Sequence, residues 1–425
     1  MRMNVSALVV ISMMAAAASG QDVATKTDAV AADSEVGNGA LFEEPGPLRA
    51  GIDRVSPYMV EIAHERGTGV YPRVGDMITG AGWISGGPGY RYWFGHRAFV
   101  DGSATVSWHA YKQATARFEV PRLARGYLAV GTEVQWSDLT QVHYFGIDDS
   151  ATAAESEYRI KTTDVVGYAT YKVLPWLAID GSLGRLDRPS VSTGTGWFDP
   201  DYEPTSTVYP NDPGVGVGPP NYVHGEAQVV ADTRDFPSYP TRGGVLRGAW
   251  SAFSDRDLGT YSFQRYEAEA ARFVPVARGH VVLALHAWGV FTDVPEGQSV
   301  PFYMLPTLGG SNTLRGDRSY RWHDRDLLLV NVESRVRIFE HMDLALFADA
   351  GNVGPDVSAL NLDKQSVRCW CPAPYTDVDI GAYRRGARAV GWMAGVVQAE
   401  RSAAARTSEE SHCGCPLRSV TRIRS

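Results

Sequence analysis

Cysteine is almost absent from this 425-residue chain. The four that exist, Cys369, Cys371, Cys413 and Cys415, all lie near the end. A disulfide scaffold is therefore excluded for everything before Cys369. No run of about 18 apolar residues occurs, so no helix can span a bilayer. Mean hydropathy of -0.20 likewise excludes a bundle of membrane helices. It does not exclude a barrel, because water-facing residues dilute the hydropathy of every barrel strand. Positive charge is also short: the net charge is -8, which argues against a nucleic-acid partner. There is no nucleophile elbow, no Gly-rich phosphate loop and no metalloprotease helix. His323-Asp324-Arg325-Asp326 offers metal-ligand types, but neighbours on a strand or loop rarely converge on one ion. No catalytic residue, enzyme activity, cofactor or metal is expected.

What is present is glycine (44), tyrosine (20) and tryptophan (11), the materials of turn-rich β-structure with aromatic girdles. At the start, Arg2 precedes an apolar core from Val5 to Ala18, and Ala18-Ser19-Gly20 supplies small residues before Gln21. That is the pattern of a cleaved signal peptide over residues 1–20. It is too short for a membrane anchor and lacks a Lys/Arg stop-transfer flank. Residues 21–74 read as a polar linker. Within it Leu48, Ile52, Val55, Met59 and Ile62 recur at helical spacing, interrupted by Pro57. A short helix at the mouth of a barrel and a linker with accidental periodicity both fit.

From about Gly75 the spacing changes to two. Ala104, Val106, Trp108 and Ala110 oppose Thr105, Ser107, His109 and Tyr111. Leu177, Ile179 and Leu183 oppose Asp180 and Ser182; Leu283 and Leu285 oppose His286. The clearest segment runs from Leu308 to Val353. There Leu328, Val330, Val332, Val336 and Ile338 share one face, and Asn331, Glu333, Arg335 and Arg337 the other. Met342, Leu344, Leu346 and Ala348 then oppose Asp343 and Asp349. A sheet with one apolar and one densely charged face suits lipid outside and water inside. Short connectors such as Pro121–Ala124 alternate with long ones, Gly184–His224 and Thr292–Arg325. The fold class expected is all-β, a transmembrane antiparallel β-barrel of about sixteen strands at roughly 20–22 residues each. The barrel is expected over residues 75–355.

Five ordered motifs add a family. Tyr144-Phe145-Gly146-Ile147-Asp148-Asp149-Ser150 is the first, and Asp232-Thr-Arg-Asp-Phe-Pro-Ser-Tyr-Pro-Thr-Arg-Gly-Gly244 the second. Then come Gly309-Gly310-Ser-Asn-Thr-Leu-Arg-Gly316, Asn331-Val332-Glu333-Ser334-Arg335 and Phe347-Ala348-Asp349-Ala350-Gly351. In this order they resemble the barrel of the bacterial surface antigen family, the superfamily of the BamA and TamA outer-membrane assembly factors. The resemblance covers about Gly75 to Val353. It implies that Leu314-Arg315-Gly316 belongs to a loop folded back into the lumen. It also implies that Arg315 reaches the wall carboxylates Glu333 and Asp349. The chemistry is sound: a guanidinium fork matches a carboxylate, and Gly316 permits close approach or positive φ. The family's aromatic after Arg-Gly is replaced here by Asp317. Residues 21–74 are too few for even one βααββ periplasmic module of the kind larger relatives carry.

Residues 356–425 break the pattern. From about Val367 the alternation stops, and Arg/Ala-rich runs and all the cysteines follow. A frame disruption near Ser366 and a genuine divergent tail both account for it. The family resemblance implies an outer-membrane protein that inserts or translocates proteins or lipids. Its partners would be outer-membrane lipids, client proteins or lipids, and periplasmic factors. A passive porin-like channel and a structural surface antigen are the alternatives.

Overall fold

A computed structural model describes residues 68–75, 85–95, 97–147, 153–196, 202–237, 239–310, 313–339 and 342–370. The signal segment, the helix expected around Leu48–Ile62 and everything after Trp370 lie outside the described residues.

The protein is one antiparallel meander. Its strands are β1 Gly69–Gly75, β2 Ser85–Phe94, β3 Ala98–Ser107, β4 Lys112–Leu123, β5 Leu128–Tyr144, β6 Ser156–Leu174 and β7 Leu177–Thr193. They continue with β8 Glu203–Pro204, β9 Tyr222–Asp232, β10 Gly243–Asp255, β11 Phe263–Val276 and β12 Val281–Asp293. The last are β13 Thr307–Leu308, β14 Trp322–His323, β15 Asp326–Phe339, β16 Met342–Gly354 and β17 Lys364–Trp370. The short β8, β13 and β14 sit in loops. The other fourteen pair in the order β1–β7, β9–β12, β15–β17, each with its neighbour in the chain. Fourteen strands among the described residues is fewer than the sixteen expected from length. Among these residues the sheet is open, with β1 and β17 as its end strands. The sheet also runs past the expected limits of 75 and 355: β1 begins at Gly69, and β17 pairs with β16 through Ala345 and Trp370.

Burial is inverted relative to a soluble sheet. Val106, Ile179, Leu183, Val229 and Leu346 are exposed, whereas Glu133, Asp164, Asp180, Glu269 and Asp349 are buried. An apolar outside and a charged inside is what bilayer insertion demands. The charged side chains complete one another across strands. Arg117 pairs with Glu133 at 2.6 Å, Arg247 with Glu267 at 2.9 Å, and His224 with Asp164 at 2.9 Å.

Connections sort onto two rims. One rim carries tight turns, including Ala124–Gly126 and Ala277–Gly279. These share the sequence Ala-Arg-Gly and a run of positive φ (48°, 61°, 91° and 49°, 59°, 88°). Glycine at the third place relieves the most demanding of the three. The other rim carries the long loops 194–221 and 294–325. Two expectations shift here. β7 continues through Gly184 to Thr193, so the loop expected from Gly184 begins ten residues later, at 194. The alternation expected through Tyr111 ends at Ser107, where the chain turns and Ala110 takes φ 59°.

Candidate functional site

The site is built where β15 and β16 face the lumen. Asn331 lies opposite Asp349, and Glu333 opposite Phe347. Glu333 and Asp349 are therefore diagonal neighbours on one wall, within reach of one long side chain.

The loop of residues 294–325 supplies that side chain. It enters through an apolar anchor, Phe302, Tyr303, Met304 and Leu305, all buried. These pack in a cluster with Tyr111, Tyr144, Tyr158, Ile160, Leu186, Tyr222 and Phe263 from the wall. The Tyr144 and Phe302 rings lie 4.9 Å apart, and Tyr144 also donates a 2.6 Å bond to Asp212. An aromatic dome thus roofs the long-loop end of the lumen. Arg265, buried on β11, donates from Nη2 to the Met304 carbonyl at 2.6 Å and ties the anchor to the wall.

Further along, the loop tightens on itself. The Gly309 amide donates to Thr313 Oγ1 at 2.9 Å, and that hydroxyl donates back to the Gly309 carbonyl at 3.0 Å. Leu314 is then buried among Trp288, Leu308, Trp322, Leu327 and Leu329. With Leu314 seated, Arg315 projects across to the wall. Its Nε and Nη2 donate to the two oxygens of Asp349 at 2.9 and 2.7 Å. Its own backbone N–H adds a third bond to Asp349 at 3.0 Å, and its Nη1 donates to Glu333. Gly316 follows with φ 119°, a region closed to residues with a Cβ.

The structure thus brings all five sequence-singled residues, Leu314, Arg315, Gly316, Glu333 and Asp349, into one place. It also adds partners that the sequence reading did not assign. The Arg315 guanidinium lies 3.7 Å from the centre of the Phe347 ring, a cation–π contact with the wall. Asn331 Nδ2 donates to Asp349 at 2.7 Å and to the Thr313 carbonyl at 2.9 Å. His286 bonds Asn331 through Nδ1 at 2.8 Å and Glu269 through Nε2 at 3.2 Å. Phe347 has the same strand parity as Asp349, so its place on the lumen face was available from spacing alone. Asp317, where the family carries an aromatic, accepts from the Trp322 indole at 2.9 Å, and that ring fills the pocket beside Leu314.

His323 follows Trp322 into the dome, where its ring meets Tyr144 edge-on at 4.9 Å. Burial, and then the charge of Arg321, depress its pKa from 6.5 to about 3, so it is neutral. Among the described residues no three His, Cys, Asp or Glu side chains converge as a metal site.

The Omp85 superfamily domain matches residues 93–370. The crystal structure of BamA from Haemophilus ducreyi lacking POTRA domains 1–3 aligns with a TM-score of 0.51 at 14% identity. That alignment covers 68% of this chain and 58% of that one. CdiB from Acinetobacter baumannii aligns at 11% identity and TM-score 0.40, over 67% of this chain and 49% of that one. CdiB from Escherichia coli aligns at 12% identity and TM-score 0.43, over 73% and 62%. The chain therefore spans less than two thirds of each of these proteins, and the BamA likeness speaks for the fold. No curated protein matches the sequence.

Proposed function

Since this chain belongs to the Omp85 superfamily and is an outer-membrane β-barrel related to BamA and CdiB, we propose that it inserts or translocates proteins or lipids at the outer membrane. It reaches that membrane by export, with residues 1–20 removed as a signal peptide. The long-loop rim faces outward and the tight-turn rim faces the periplasm. The proposal involves no chemical step and no cofactor.

One observation carries the reading: the long loop is folded into the lumen and fixed there by Arg315 on Glu333 and Asp349. A passive pore keeps its lumen open and wet. Here a charged pin and an aromatic dome fill the middle and the outer end. That arrangement supports a barrel whose wall, rather than its bore, handles cargo. The charges are costly to leave unpaired away from bulk water, so the loop has one strongly preferred seat. A pin made of hydrogen-bonded ions is directional, and it can be released and remade.

Two measurements on the full chain test this. In a planar bilayer the barrel should be nearly closed, with rare openings. In proteoliposomes with an unfolded outer-membrane protein or a labelled lipid as client, it should speed insertion or transfer. A steady open conductance would instead identify a porin-like channel. A closed barrel inert toward both clients would leave a structural surface antigen.

A further inference from the structure

The Asp232–Gly244 motif forms the connection between β9 and β10 on the periplasmic rim, and its described residues are densely hydrogen-bonded. Arg234 pairs with Asp232 at 2.6 Å. Asp235 accepts from the amides of Phe236 and Thr241 at 2.9 and 3.0 Å, which closes the turn into a compact loop. Phe236 and Pro237 are exposed, but the returning arm is covered. Pro240 is buried, and Tyr239 half-buried.

The returning arm is held from inside the barrel, by a side chain three strands along the sheet from β10. Arg335 on β15 donates to the Pro240 carbonyl at 3.1 Å, and its guanidinium lies 4.9 Å from the Tyr239 ring centre. Arg335 also lies 5.4 Å from the ring of Phe273, which forms an apolar patch on the lumen wall with Ala271 and Val282. Apolar side chains facing the lumen of a charged barrel need a cover. The turn lies beside them.

Arg335 also approaches a carboxylate. Its Nε is 3.5 Å from Glu333 Oε1, while Arg315 holds Glu333 Oε2. One carboxylate therefore stands between the loop that enters from outside and the turn that closes from the periplasm. We propose that Glu333 and Arg335 couple the Arg315 lock to the β9–β10 turn, making that turn a periplasmic cover released when the lock opens. The reason is a competition for Arg335. When Arg315 leaves, Glu333 loses its nearer cation. A carboxylate adds a full opposite charge that a neutral carbonyl lacks, and it can accept from two guanidinium N–H groups at once. Arg335 then moves fully onto Glu333, lets go of Pro240, and uncovers the patch around Val282. This inference stands on the barrel's geometry, not on the client role proposed above.

The test uses the full-length protein in proteoliposomes, carrying Val282→Cys. A charged maleimide is added, and the label at position 282 is read by peptide mass, apart from the native cysteines. Arg315→Ala should raise the labelling rate at 282 by roughly tenfold or more, as loss of one partner of a buried ion pair implies. Arg335→Ala should raise it by as much. Arg315→Lys gives the same comparison if the alanine variant does not fold, since one ammonium cannot hold both acids as a guanidinium fork does. Labelling at the parent rate in the Arg315 variants, with fast labelling in Arg335→Ala, would show a cover independent of the lock. Labelling at the parent rate in Arg335→Ala would show that Arg335 does not hold the turn. Either result overturns the coupling. Neither bears on client insertion, which is measured separately.

Discussion

The long loop has two anchors of opposite chemistry. Around Phe302, Tyr303 and Met304 it is held by an apolar cluster with one buried arginine beside it. Around Arg315 it is held by charge: two acids and one ring converge on a single guanidinium, and the Asn331 amide braces one of the acids. The apolar anchor draws on buried area, which is large but tolerant of small shifts. The charged anchor depends on direction, so displacement by about an ångström loses most of it. The comparison teaches that mass and position are secured separately. The dome keeps the loop in the barrel, and Arg315 sets where it sits.

The largest expected effect breaks the dome. Phe302→Ala leaves a cavity beside Tyr144 and Tyr158 and should cost about 3–5 kcal/mol. It should appear as a lower urea midpoint for the folded, heat-modifiable form on gels. Arg315→Ala strikes the other anchor. It leaves Asp349 buried and without its main cation, at a cost of about 3 kcal/mol, the low end for buried pairs because Arg315 keeps 14% of its side-chain surface. Folded yield and heat-modifiability should both fall. Unchanged values would remove the pin from the account.

The third prediction separates the anchors by pH. His323 in the dome has a pKa near 3 when folded, against 6.5 when released. A depressed value means its contribution is complete above pH 6.5 and is lost as the pH falls toward 3. At pH 5 the dome should be weaker by about 2 kcal/mol, at 1.36 kcal/mol per pH unit below the released value. Channel openings should become more frequent between pH 6.5 and 3, and His323→Phe should flatten that rise. The smallest effect concerns Asp317. Removing its bond to Trp322 with Asp317→Ala should cost about 1 kcal/mol, visible as faster amide exchange in the loop around residues 313–323.

Much of this was legible in the sequence, for a physical reason. A barrel wall has one wet and one oily face, so strand period two writes itself into the chain. Glu333, Arg335 and Asp349 could therefore be placed in the lumen from spacing, and the Leu-Arg-Gly motif supplied the loop that meets them. The dome was not legible. Tyr111, Tyr144, Tyr222 and Phe302 come from distant strand ends and loops, and no local pattern links them. Gly184 reads as the start of a loop. In the fold it is a mid-strand gap filled by His224, whose Nε2 would lie 2.6 Å from an added Cβ. Alternation through Trp108–Tyr111 looked like strand because a tight turn can keep the same polarity pattern. The Asp232–Gly244 turn was legible as a motif but its fastening was not, for a related reason: Arg335 lies 95 residues from Pro240, which it holds.

The central claim is that Arg315 and Asp349 act as one unit that positions the loop. A double-mutant cycle tests it directly, with Arg315→Ala, Asp349→Ala and the pair compared by urea unfolding of the membrane-inserted barrel. The account predicts strong non-additivity, with a coupling energy of about 1.5 kcal/mol or more. Single costs that simply add, to within about 0.5 kcal/mol, would contradict it.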